Sequence, residues 1–229
     1  MNALLVDDHA LFREGLALLM RQRFPHVLLG QAVDLAQAQA LLQAHPEVEL
    51  VLLDLNLRDS HGLASLTAMQ ASSPERSIVV MSADERPETV DAVIAAGGAG
   101  YIPKTARGGV IEAALRVVLD GGVYLPRGVL RAARVRGRSV REALAAQGVP
   151  VQDGDHYAAV AQDAFDLSPR QVEVLRGLID SKSSKVIARE LLIAESSVKS
   201  HLLVIFKKLR VNSRAAAVLE AVRLGLGSE

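Results

Sequence analysis

Through the first 120 residues, short apolar runs alternate with longer stretches of helical period, and that alternation leaves few architectures open. Residues 3–6, 27–32, 50–53, 78–81 and 101–102 read as strands, and residues 10–23, 35–45, 63–71, 88–96 and 106–120 read as helices. A helix between each pair of strands rules out hairpins and calls for parallel crossovers. Strands apolar on both faces then need helices on both sides, so the expected fold is α/β with a five-stranded parallel sheet. Such sheets bind ligands at the carboxyl ends of their strands.

The pattern breaks at Leu125. Residues 126–141 hold six arginines and no acid, followed by an alanine-rich piece and the turn-forming GVPVQDGD. This stretch reads as a linker over 125–165 with room for one helix. At 168–171 the order Ser, Pro, Arg, Gln makes a capping box with proline at the first helical position, opening a helix to about 179. Residues 184–191 and 196–209 are helical with a break at 193–195, and 213–224 forms a last helix stopped by Gly225. The expected organisation is an α/β domain over 1–124, the linker, and a small all-α domain over 166–229.

Composition narrows the function classes. At 229 residues, half of them apolar, the chain can fill two cores, and with no cysteine it can form neither a disulfide nor a thiolate zinc site. The N-terminus lacks a secretory signal, and no apolar run approaches a membrane span, so a cytoplasmic protein without membrane contact is expected. Net neutrality hides an asymmetry: residues 1–125 carry nine Lys and Arg against fifteen Asp and Glu, whereas 126–229 carry seventeen against eleven. The C-terminal half is the one suited to a polyanion.

Asp7 and Asp8 follow the first strand and Asp54 the third, so a parallel sheet brings three carboxylates to one rim. They would repel unless a divalent cation joined them, and all-oxygen ligands favour Mg²⁺, with Mn²⁺ second. Ser82 ends the fourth strand and Lys104 follows the fifth. A carboxylate surrounded by a metal, a hydroxyl and an ammonium makes a phosphoryl site. Taken singly, an aspartate at a strand end serves as readily to cap the next helix.

Residues 184–191 and 196–209 also fit a scaffold helix followed by a recognition helix. The second displays Ser196, Ser197, Lys199, Ser200, His201, Lys207 and Lys208, side chains suited to phosphates and base edges of double-stranded DNA. A basic amphipathic helix can equally be a solvated face.

As a set, VDDH at 6–9, LLDLNL at 52–57, MSA at 81–83 and YIPK at 101–104 resemble the receiver family of two-component response regulators, whose fold is flavodoxin-like. LSPRQVEVLRGL at 167–178, KVIARELLIAESSVKSHL at 185–202 and FKKLRVNSRAAAV at 206–218 resemble a LuxR-type helix-turn-helix domain, the pairing found in the NarL/FixJ subfamily. The resemblance implies Asp54 as phosphoacceptor from a sensor histidine kinase. It implies Asp8, Asp54 and the Asn56 carbonyl as Mg²⁺ ligands, with Asp7 supporting the metal through water. Lys104 and Ser82 would hold the phosphoryl oxygens, and Tyr101 would turn inward on activation. On DNA, Lys199 and Ser200 would meet base edges, and Ser197, Lys207 and Lys208 phosphates. Val198, Leu202, Ile205 and Leu209 would face the core, and the last helix would pair two copies as a homodimer. The implied function is a phosphorylation-controlled transcription regulator, a switch rather than an enzyme. A phosphatase with an aspartyl-phosphate intermediate would need an acid where Asn56 stands. The other readings are a phosphorylation-independent regulator and a phosphate sink or docking module. Two departures from the family pattern stand out: residues 180–183, DSKS, replace a glycine-containing turn, and Leu203 sits where relatives often present a polar contact. The six arginines at 127, 131, 134, 136, 138 and 141 read either as a DNA-tracking arm or as a solvated helix.

Overall fold

The computed structural model describes residues 2–146, with side chains as far as Arg136, and 166–224. Gly225 and the segment 147–165 lie outside the described residues. The chain divides into two compact units, 1–119 and 120–229.

The first unit runs β1 (Asn2–Val6), α1 (Ala10–Arg23), β2 (Leu28–Ala32), α2 (Leu35–Ala44), β3 (Val48–Asp54), α3 (Leu63–Ser72), β4 (Ser77–Ser82), α4 (Pro87–Ala95), β5 (Gly100–Pro103) and α5 (Gly108–Leu119). All strands pair in parallel in the order β2-β1-β3-β4-β5. Apolar side chains, mainly Leu, Val, Ile and Met, fill β1, β3 and β4 from both faces, as a doubly covered sheet requires. The edge strand β2 departs from the expectation of burial on both faces: Leu28, Gly30 and Gln31 are exposed. An edge strand has a neighbour on one side only, and a glutamine within it suits a rim in water.

Register positions the chemistry. Val6 pairs with Leu53, Asp54 with Met81, and Ser82 with Pro103. The next residue in each case is at the carboxyl end, so Asp7, Asp54, Ser82 and Lys104 step along one rim. Below the sheet, Arg76 donates to the carbonyls of Val48 and Leu42 at 2.8 Å and to Ser73 Oγ at 2.7 Å, satisfying helix and strand ends far from that rim.

The second unit contains α6 (Arg127–Ala146), α7 (Pro169–Ile179), α8 (Ser184–Glu190), α9 (Glu195–Leu209) and α10 (Arg214–Arg223). Ser168 and Gln171 form the expected reciprocal capping box at the start of α7. Gly177 lets α8 approach α7, since a Cβ there would come within 2.8 Å of Ile187 Cγ1. Val198, Leu202, Ile205 and Leu209 are the buried residues of α9, at the spacing that marks its core face. Helix α10 packs against α6, α7 and α9. Its buried Ala217, Val218, Ala221 and Val222 show how fully these neighbours enclose it. The last helix, expected to face a second copy, is thus covered in part by α6. On α6 itself Val129 and Ala133 are buried, while Arg127, Arg131, Arg134 and Arg136 are exposed.

Candidate functional site

The rim of the first unit concentrates buried charge. Asp7 and Asp54 are buried and Asp8 is half-buried. With His9 they bring four possible ligand atoms within 4.8 Å of one another. Lys104 Nζ donates to Asp54 Oδ2 at 2.6 Å and lies 2.8 Å from Asp7 Oδ2. Burial pushes the Asp54 carboxyl up from its ordinary range; the Lys104 ammonium and the Asn56 amide, which donates to Oδ1 at 3.2 Å, pull the other way.

The donor set suits a hard cation. Asp7 Oδ2 and Asp8 Oδ1 are buried oxygens without a hydrogen-bond donor, although Lys104 and His9 stand close enough for ionic attraction. The loop after β3 folds back through Leu57 N–H to the Ser60 carbonyl and Gly62 N–H to the Leu55 carbonyl. Neither bond uses the Asn56 carbonyl, which the family resemblance implies as a further oxygen ligand.

Ser82 is buried beside Asp54, and its Oγ accepts the Asp84 amide at 3.3 Å. Tyr101 is already fully inside, its hydroxyl donating to the Asp84 carbonyl. Burial raises this phenol, and its contact with Ser82 opposes the shift. Asp84 is held well below the carboxylate range by Arg86, whose guanidinium forks onto both its oxygens. Ser82, Tyr101 and the Asp84 loop therefore form one connected group next to Asp54.

In the second unit, the exposed face of α9 carries Ser196, Lys199, Ser200, Leu203 and Lys207, at spacings of three, four, seven and eleven from the first. Lys199 pairs with Glu195 one turn away at 3.4 Å. Ser200 Oγ donates back to the Ser196 carbonyl at 3.1 Å.

Residues 3–116 match the response regulator receiver domain family, and residues 166–221 match the bacterial regulatory proteins of the luxR family. The glycerol metabolism activator of Pseudomonas putida is 32% identical over 219 residues, 95% of this chain and 93% of that protein. The chain belongs to the NarL/FixJ-type two-component response regulators. The nitrate/nitrite response regulator protein NarP of Escherichia coli (strain K12) is 30% identical over 95% of this regulator and 93% of its own length. Among solved structures, the RcsB response regulator of Salmonella typhimurium shares the fold, with a TM-score of 0.50 at 22% identity over 95% of this chain and 96% of that one. This response regulator thus joins a receiver to a LuxR-type DNA-binding domain and regulates transcription. Among the described residues, no helix is long and apolar enough to cross a membrane.

The residues singled out from the sequence divide accordingly. Asp7, Asp8, Asp54, Asn56, Ser82, Tyr101 and Lys104 gather on the receiver rim. Of the α9 candidates, Ser196, Lys199, Ser200 and Lys207 share the exposed face. Ser197 and His201 are half-buried beside it. Lys208 turns away and donates to Asp166, through its carbonyl and at 3.1 Å through its carboxylate. Three contributors were missed. His9 Nδ1 sits 2.8 Å from Asp8 Oδ1, signalled only by its place after the two aspartates. Phe12, near the start of α1, lays its ring 4.9 Å from Lys104 Nζ, a pairing of residues distant in sequence with no local signal. Arg214 links α10 to the turn before α8, donating to Ser184 Oγ at 2.8 Å and the Lys182 carbonyl at 3.1 Å.

Proposed function

We propose that Asp54 accepts a phosphoryl group from the phosphohistidine of a sensor kinase, and that the resulting dianion switches how the LuxR-type domain engages double-stranded DNA. The observation that carries this reading is the buried Asp54 carboxylate, in contact with Lys104 and beside two further aspartates. Asp8, Asp54 and the Asn56 carbonyl would hold Mg²⁺, with Asp7 acting through water. The cation supplies positive charge against the phosphoryl oxygens.

An Asp54 oxygen attacks phosphorus in line, forming a P–O bond as the P–N bond to the donor imidazole breaks and its electron pair returns to nitrogen. Lys104, kept in place by Phe12 and Asp7, turns to a phosphoryl oxygen as negative charge grows there. Ser82 Oγ donates to another, and its movement disturbs the Tyr101 and Asp84 group, which carries the change to the surface of α4 and β5. The change favours homodimers whose paired α9 helices read two half-sites about one helical turn apart. In the conformation described, α6 covers part of α10, the helix assigned to pairing.

The test is incubation with Mg²⁺ and acetyl phosphate, followed by mass spectrometry of the acid-labile phosphate. Phosphate on Asp54 that is absent from Asp54→Ala is the expected result. A folded wild-type protein that takes phosphate neither from this donor nor from a kinase would overturn the assignment.

A further inference from the structure

Leu203 is 70% exposed in the middle of a face that is otherwise polar. Ser196 stands two turns before it, Lys199 and Ser200 one turn before, and Lys207 one turn after, all on the same side of α9. Its neighbour Val204 is partly exposed at 39%, whereas the core side of the helix is already filled by Val198, Leu202, Ile205 and Leu209. Leu203 has no packing role that its exposure would serve.

We infer that Leu203 is a specificity residue that reads the 5-methyl group of thymine in the major groove, an inference that rests on α9 being the helix that enters the groove. Thymine alone presents a methyl group on that edge; cytosine has only a C5–H in its place, and the remaining edge atoms of the other bases are mainly hydrogen-bonding ones. A leucine pressed against those atoms would strip their water and return no hydrogen bond. Against a methyl group it removes apolar surface on both sides. Lys199, Ser200 and Lys207 flank it with donors for phosphates and base acceptors, so Leu203 adds selection where they add attachment. One buried methyl corresponds to about four-fold in affinity per half-site.

The test uses the full chain, treated with Mg²⁺ and acetyl phosphate, and a pool of randomised DNA duplexes. Sequences enriched by the wild type are resynthesised with deoxyuridine replacing each thymidine in turn, which deletes only the methyl. At one thymine per half-site the wild type should lose about four-fold. Leu203→Ala should show no loss there, and Leu203→Met, which retains an apolar contact, should keep part of it. Circular dichroism confirms that the exposed substitutions leave the fold intact. A motif whose uracil penalties are equal in wild type and Leu203→Ala overturns the inference while leaving the DNA reading in place. A wild type that enriches no sequence overturns both.

Discussion

The receiver rim and the α9 face handle charge in opposite ways. On the rim, Asp7, Asp54 and Lys104 are withdrawn from water, so their interactions act through a low effective dielectric and salt screens them little. On α9, Lys199 is 68% exposed and its pairing with Glu195 is screened, worth a few tenths of a kcal/mol. The first arrangement makes stability depend on the charge state of the site, as a phosphorylation switch requires. The second lets the exposed face of α9 change with little consequence for folding. The same chain therefore couples function tightly to stability in one unit and separates them in the other.

The largest effect should come from breaking the rim. Lys104→Ala leaves Asp7 and Asp54 buried without their cation, and removal of one member of a buried pair costs about 3 kcal/mol. Urea unfolding in EDTA should show that loss. Mg²⁺ should recover part of it by binding only the folded rim, adding about 2.7 kcal/mol at a hundred times its dissociation constant in a protein with intact ligands. Asp54→Asn should act in the opposite direction to Lys104→Ala, because it removes a carboxylate whose charge burial disfavours. If Lys104→Ala unfolds at the wild-type denaturant concentration, the rim is more solvated than its geometry implies and the contrast with α9 fails.

Arg214 tests whether the second unit contains a buried charge of its own. Its guanidinium lies among neutral oxygens, and burial lowers its pKa. Arg214→Met would leave the Lys182 carbonyl without that donor, at a cost of about 2 kcal/mol. Thermal unfolding of the second unit, followed separately from that of the receiver, should register it. An unchanged transition would mean that water replaces the guanidinium without loss.

The parallel pairing of the strands and the meeting of Asp7, Asp54, Ser82 and Lys104 were legible, because they follow from a short-range period and from the common polarity of parallel strands, while the core face of α9 came with the resemblance to a LuxR-type domain. The exposure of β2 was not legible, since the apolar run Val27–Leu29 gives no sign of exposure and the place of the strand at the sheet edge is set by the strand order. Nor was the position of Lys208. Adjacent lysines in a sequence point about 100° apart on a helix, and Asp166, 42 residues away, determines where the second goes. Phe12 beneath Lys104 escaped for the same reason: its partner is 92 residues distant.

Charge reversal on α9 should have the complementary outcome to the rim substitutions. Lys199→Glu exchanges an exposed attractive pair with Glu195 for an exposed like-charge pair, so the stability should stay within about 1 kcal/mol of wild type. DNA affinity should fall about ten-fold or more, and the dependence of binding on salt should become less steep. Fluorescence anisotropy over a salt series measures both. Equal affinity and an equal slope would remove Lys199 from the interface.

The smallest effects concern how the two units end their helices, where backbone rather than charge distinguishes them. After α4, Gly97 takes φ 95° and donates to the Ile94 carbonyl while Gly98 donates back to the Val93 carbonyl, the closure for which glycine is suited. After α7 and α8 the same pair of bonds forms, but the left-handed positions are Ser181 at φ 59° and Leu192 at φ 54°. A side chain there costs roughly 1–2 kcal/mol, and Leu192, 90% exposed, has little packing to offset it. Leu192→Gly should therefore stabilise the DNA-binding unit by about 0.5–1 kcal/mol, once the greater freedom of glycine in the unfolded chain is subtracted. Gly97→Ala should go the other way, because its Cβ would lie 2.5 Å from Gln70 Nε2 in addition to the strained φ. If Leu192→Gly lowers the melting temperature, the leucine makes a contact in solution that compensates its backbone, and the contrast between the helix ends of the two units fails.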